Sequence, residues 1–167
     1  MKKILMLLVC TSLIFAEYNR KNWKHWTKNT RAEVLEEEKI KDSFWVCKFT
    51  GDTITTAREL DIDHLVPLKE AYLSGANKWS MKKKSEYANY MVNKNHLVAV
   101  SAGANRSKGA KDPSKWVPKI NQDWYIREWI KVKSDWNLKY DAEELRFIST
   151  YINHSEKEKS YFRPDRK

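Results

Sequence analysis

Asp61, Asp63 and His64 stand together in DIDHLVPLKEA, a run whose other early members, Ile62, Leu65, Val66 and Leu68, are apolar. A carboxylate offers a hard oxygen to a divalent cation. A neutral imidazole, whose ordinary pKa is about 6.5, takes a proton from water at physiological pH. Side by side, Asp63 and His64 are a hydrolytic pairing. Taken alone, they are more simply an acid capping a loop and a histidine satisfied in the core.

A second polar set follows in NHLVAVSAGANRSKGAK, where Asn95 precedes an apolar run and Asn105 follows it, with Arg106, Lys108 and Lys111 close behind. Between Lys78 and Lys133 thirteen Lys or Arg stand against four acids, with Trp79, Tyr87, Trp116 and Trp124 among them. Such a mixture belongs on a nucleic-acid-binding face. The KKK at 82–84, taken alone, is equally a solvated helix face.

Neighbouring residues of a strand face opposite sides, so Asp63 and His64 can serve one site only where a strand ends, and Pro67 marks such an end. LDIDHLV at 60–66 is accordingly a strand candidate, as are HLVAVS at 96–101 and FWVCKF at 44–49, the last entering a hairpin at Gly51-Asp52. Thr30 and Glu33 have capping-box spacing for a helix over about 31–41. KEAYLSG is a helix stopped by Gly75, Ser80 caps another through Met91, and AGANRSK opens a short one. Trp124, Ile126, Trp129 and Ile130, and later Leu145, Ile148 and Ile152, mark two amphipathic helices, the second begun by the Asp141/Glu144 box. This interleaving predicts one α+β domain, with a small antiparallel hairpin feeding a helix and further helices at both ends.

The chain has 167 residues and 41% hydrophobic content with 4 Gly and 4 Pro, which excludes collagen-like and low-complexity chains. Residues 1–16 carry Lys2 and Lys3, an apolar run too short to span a bilayer and a small Ala16, and so predict a secretory signal peptide cut before Glu17. Ile14 makes the cleavage site imperfect, and Val9 before Cys10 disfavours lipidation. The formal net charge is +10, and losing two lysines leaves +8, so the partner is an anion. Cleavage leaves Cys47 alone, with no internal disulfide and no cysteine zinc site. No Gly-rich phosphate loop or HExxH is present.

DIDHLVP, N.LVAVS and NRSKG.K.P..W together resemble the HNH endonucleases of the ββα-metal fold in their His-Asn-Asn form, closest to small exported bacterial HNH proteins with DIDHVVPL and NRSKGD motifs. YNRKNWKHW, NTRAEVL, SGANKWS, the YAN at 87–89 and KDPSKWVP carry the likeness over most of residues 17–154, with a core at about 44–118 and a frayed tail from 155 to 167. The resemblance implies His64 as general base, Asp63 and Asn105 as ligands of one divalent ion, Mg2+ or Mn2+, and Asn95 as the brace behind the histidine. Arg106, Lys108 and Lys111 would hold the strand by its phosphates. Implied, then, is an exported, periplasmic or extracellular monomer that hydrolyses DNA, and RNA as an alternative, with little sequence preference and no membrane insertion. The rivals are a non-catalytic envelope protein that captures DNA and a secreted nuclease toxin. Such kin carry paired cysteines, where this chain has Lys28 and Trp124, so Cys47 is expected as a free, partly buried thiol. His96, His25 and His154 are read as bystanders. Arg31 is either functional or paired with Glu33.

Overall fold

The computed structural model describes residues 17–23, 29–41 and 43–161, with side chains as far as Ser155. The expected leader at 1–16, His25, Lys28 and residues 162–167 lie outside the described residues. The first helix, α1 (Thr30–Glu37), is not capped by Thr30: Asn29 precedes it, and the buried Thr30 hydroxyl donates to Asn89 Oδ1 at 3.4 Å. A threonine used as an interior partner is not available to the first turn, so the expected capping box does not form. Arg31, on the same helix, donates to the carbonyls of Ala57 and Leu60 at 2.8 and 2.9 Å and so anchors the start of the strand that ends at His64 rather than pairing with Glu33.

The FWVCKF run supplies β1 (Trp45–Val46), paired antiparallel with β2 (Thr53–Ile54) across a turn in which Gly51 takes φ 81°, a conformation that favours a residue without Cβ. Then come β3 (Leu60–His64), α2 (Leu68–Leu73), α3 (Met81–Ala88), β4 (Leu97–Ser101), α4 (Ala102–Lys108), α5 (Gln122–Asp135) and α6 (Ala142–Tyr161). β3 and β4 pair antiparallel in the register Leu60↔Ser101 to His64↔Leu97, and α4 packs on both. Among the described residues this α+β arrangement of two small two-stranded sheets and six α-helices contains the expected ββα unit, although β3 and β4 are its strands and the β1–β2 hairpin is a separate sheet.

Caps place the ends. Ser80 accepts from Lys83 N at 3.2 Å to start α3, and Ser101 accepts from Ala104 N at 3.3 Å to start α4 directly from the strand. α3 stops at Ala88 instead of Met91 because the Asn89 amide turns back to the Ser85 carbonyl at 2.8 Å. Asp141 and Glu144 form the expected reciprocal box, with Glu144 N donating to Asp141 Oδ1 at 2.8 Å and Asp141 N donating to Glu144 Oε2 at 3.3 Å. The last helix runs on to Tyr161, so residues 155–161 of the expected tail are helical.

Apolar side chains of both sheets and of α2, α3, α5 and α6, including Tyr87, Tyr125 and Trp129, form the main core together with Trp23 of the N-terminal arm and Phe49 between β1 and β2. Through it runs a buried polar cluster. Lys133 of α5 donates to Glu70 of α2 at 2.9 Å, Ser74 at 3.0 Å, the Lys139 carbonyl at 3.0 Å and Glu144 of α6 at 2.5 Å. One ammonium faces two carboxylates, which leaves one negative charge in excess, and burial raises the Glu144 carboxyl above its ordinary range against the pull of Lys133. The lysines at 82–84 are not simply a wet face: Lys83 lies over the Trp79 ring at 4.6 Å and Lys84 is buried, 5.9 Å from the Tyr72 ring centre. Cys47 is a free, buried thiol. Among the described residues no helix is long and apolar enough to cross a membrane.

Candidate active site

Strand alternation puts Asp61 and Asp63 on one face of β3, and helical spacing puts Asn105 and Lys108 on one face of α4. Residues two apart on a strand and three apart on a helix are separated by comparable distances, so the two pairs meet side chain to side chain. Asn105 Nδ2 donates to Asp61 Oδ2 at 3.0 Å. Lys108 Nζ donates to Asp63 Oδ1 at 2.9 Å and to the His64 carbonyl at 2.9 Å. The other Asp63 oxygen lies 2.8 Å from the same ammonium but out of line for a hydrogen bond, so charge alone holds it.

Lys108 is therefore not open to a phosphate, the role that the resemblance implies for it. It is fully buried, 0% exposed, and Asp63 is 5% exposed. Burial lifts the Asp63 carboxyl above its ordinary range and the Lys108 charge opposes that. Burial likewise lowers the Lys108 ammonium, against the pull of Asp63. Each ion is thus the other's counter-charge in the interior.

His64 closes β3, so it can share a cleft with its neighbour Asp63. Its Nε2 lies 2.9 Å from the carbonyl oxygen of Ala88, the last residue of α3. A carbonyl only accepts, so Nε2 carries the hydrogen and the lone pair of the neutral ring is on Nδ1. Burial foremost, then the neighbouring His96, with Lys108 and Arg20 adding, pushes the imidazole down to about 3. It is uncharged at neutral pH.

A cleft of about 360 Å³ is lined by Asp63, His64 and Asn105 together with Tyr18, Arg20 and Lys69. Three of the predicted residues are thus brought together. Arg106 and Lys111 are exposed. Asn95 is half-buried just ahead of β4, where its backbone N–H donates to Asn93 Oδ1 at 3.1 Å. The atom behind His64 belongs instead to Ala88, and the next residue, Asn89, is clamped by Ser85 and Thr30. His96 donates Nε2 to the Tyr87 carbonyl at 2.8 Å and packs 4.5 Å from the Tyr87 ring, a core histidine. His154 is exposed.

Sequence reasoning missed Arg20 and the Ala88 carbonyl. The YAN at 87–89 held the signal for the second: the last carbonyls of a helix lack intrahelical partners and are open to a side chain from elsewhere. Asp61, too, gains a task as the partner that orients the Asn105 amide.

Among the described residues no three His, Cys, Asp or Glu side chains gather around a common point. A hard cation that keeps most of its water needs fewer protein ligands. The Asp63 oxygen without a hydrogen bond and the Asn105 amide oxygen, turned by Asp61, are the donor types such an ion takes.

Residues 12–150 match the family described as GmrSD restriction endonucleases, C-terminal domain. A relative from Arthroderma benhamiae, described as an "Uncharacterized secreted protein", is 33% identical over 153 residues, covering 81% of this chain and 74% of its own. No solved structure matches the chain.

Proposed function

Because the chain belongs to the GmrSD restriction endonuclease C-terminal domain family, an HNH-type nuclease family, we propose that it is an exported, metal-dependent endonuclease. Its substrate is DNA, with RNA as an alternative, cut with little sequence preference. The observation that carries this reading is the meeting of His64, Asp63 and Asn105 in one cleft.

Asp63 and Asn105 would hold the divalent ion, which the HNH-type family generally uses, and Mg2+ fits their oxygen donors. Bound there, the ion would supply positive charge to the phosphate and its leaving oxygen. His64 takes the proton from the attacking water at Nδ1, its ring fixed by the bond to Ala88. The phosphorus–oxygen bond to the 3′ carbon breaks, and that oxygen gains a proton from solvent, leaving a 5′-phosphate and a 3′-hydroxyl. A base held at about 3 accepts this proton only with help, and the negative charge of the phosphate beside it is that help. Asn89 takes the bracing role that the resemblance gives to Asn95. Lys108 is a positioning residue that keeps Asp63 ionised, while Arg106 and Lys111 contact phosphates from outside. In the absence of base-reading modules, affinity comes from phosphates and falls steeply with salt.

The alternative, a basic protein that captures DNA without cutting it, is favoured by one observation: an ammonium already sits on Asp63. Purified residues 17–167 should nick plasmid DNA with Mg2+ or Mn2+ and stop in EDTA, and His64→Ala should lose activity by about 10²–10⁴-fold. DNA retention without nicking in any divalent metal would support capture instead, and a His64→Ala protein as fast as the parent would remove histidine from the mechanism.

A further inference from the structure

Lys69 and Ala110, at the edge of the candidate catalytic cleft, also line a second cleft, of about 520 Å³. We propose that this second cleft binds the nucleic-acid strand beside the cut, holding the phosphates of adjacent nucleotides; the inference rests on the nuclease reading.

Four exposed lysines, Lys69, Lys111, Lys115 and Lys139, line it with three carboxylates. The carboxylates are occupied. Glu70 is bound by Lys133 and Ser74, Asp112 by Ser114 and Lys115, and Asp141 caps α6. Among the described residues no carboxylate pairs with Lys69, Lys111 or Lys139, and Lys111 reaches only the Ser107 carbonyl at 2.7 Å. Ammonium groups without protein counter-ions, side by side in a groove, are what a run of phosphodiesters neutralises. Leu73, 69% exposed, and the half-buried Tyr140 add apolar wall against which bases can lie.

The walls are rigid where a binding groove needs them to be. Lys139 N donates to the Ser74 carbonyl at 2.8 Å, and the buried Lys133 grips both Ser74 and the Lys139 carbonyl at 3.0 Å. One side of the cleft is thus bolted to the other through the protein interior. The two clefts lie side by side, with Lys69 and Ala110 common to both, as adjacent nucleotides of one strand require.

The test compares a substrate that reaches only the first cleft with one that reaches both, using residues 17–167 and Mn2+. Bis(p-nitrophenyl) phosphate is the first, and a single-stranded dodecadeoxynucleotide the second. In Lys139→Glu, kcat/KM for the oligonucleotide relative to the small diester should fall about tenfold, through KM, with Lys139→Arg restoring it. Anisotropy of the labelled oligonucleotide in EDTA should show the same loss of affinity. Equal effects on both substrates, or no loss of affinity, overturn the second cleft. So does an acidic peptide of equal charge that binds as tightly and weakens alike. A wild type that cleaves neither substrate yet loses oligonucleotide affinity in Lys139→Glu removes the nuclease reading and leaves the strand path standing.

Discussion

His64 Nε2 and the carbonyl oxygen of Ala88 are 2.9 Å apart, which fixes the hydrogen on one ring nitrogen and the lone pair on the other. Ala88 is followed by Asn89, whose side-chain amide donates to the Ser85 carbonyl and closes the last turn of α3. Asn89→Ala should therefore lower kcat for plasmid nicking by about 10–100-fold, as removal of an orienting group does. Asn95→Ala should cost less. The reverse order, with both proteins folded by circular dichroism, would return the bracing role to Asn95.

Lys108→Met leaves Asp63 buried without its counter-ion, and breaking such a pair costs about 3–5 kcal/mol. Urea unfolding should show that loss. Because a divalent ion would then be the only cation for Asp63, Mg2+ should raise Tm more in Lys108→Met than in the wild type. An equal rise in both would place the ion away from Asp63.

Arg20 reaches the cleft from the N-terminal arm, and Tyr18 anchors the arm by packing edge-on against Tyr72 at 5.5 Å. Arg20→Ala should raise KM and reduce the slope of log affinity against log salt by about one, the mark of one lost phosphate contact. An unchanged slope would mean that Arg20 touches no phosphate.

Burial holds the ring of His96 down at about 4 and that of His64 at about 3. In the unfolded chain both take a proton at about pH 6.5. Between those values the unfolded state binds more protons, so this contribution is complete above about pH 6.5 and is lost as the pH falls toward 4 and 3. The midpoint of urea unfolding should drop between pH 7 and pH 5, and His96→Phe should flatten that drop. An unchanged slope in His96→Phe would show that the ring is solvated in the fold.

Lys133→Met should destabilise by about 3–5 kcal/mol, since Glu70 and Glu144 are left facing each other in the core. Adding Glu70→Gln should recover part of the loss. Purely additive losses in the double variant would mean that the three side chains do not act as a unit.

The ββα unit was legible because its signals are local. Apolar alternation ending at Pro67, the LVAVS run, Ser101 as a cap and Gly109 at φ 56° each act over a few residues. The candidate set was legible only through its likeness to a family, since Asp63 and His64 alone read more simply as a capping acid and a core histidine. Lys108 misled because a lysine in a polar run is ordinarily solvated; its burial comes from a carboxylate forty-five positions earlier in the chain. The Ala88 carbonyl has no side-chain signature at all. Lys133 did carry a signal, lying on the buried stripe of Ile126, Trp129 and Ile130, where a charged side chain requires partners from other elements.

β3 and β4 pair from His64 to Leu97, although residues 65–96 lie between those two positions in the chain. That loop contains α3 and its terminal carbonyl, and α4 begins only after β4. Until Leu97 docks beside His64, the histidine has no carbonyl to set its tautomer, and Asp63 has neither Lys108 nor Asn105 nearby. The proposed centre therefore assembles only when β3 and β4 pair, and an unfolded chain carries no fragment of it.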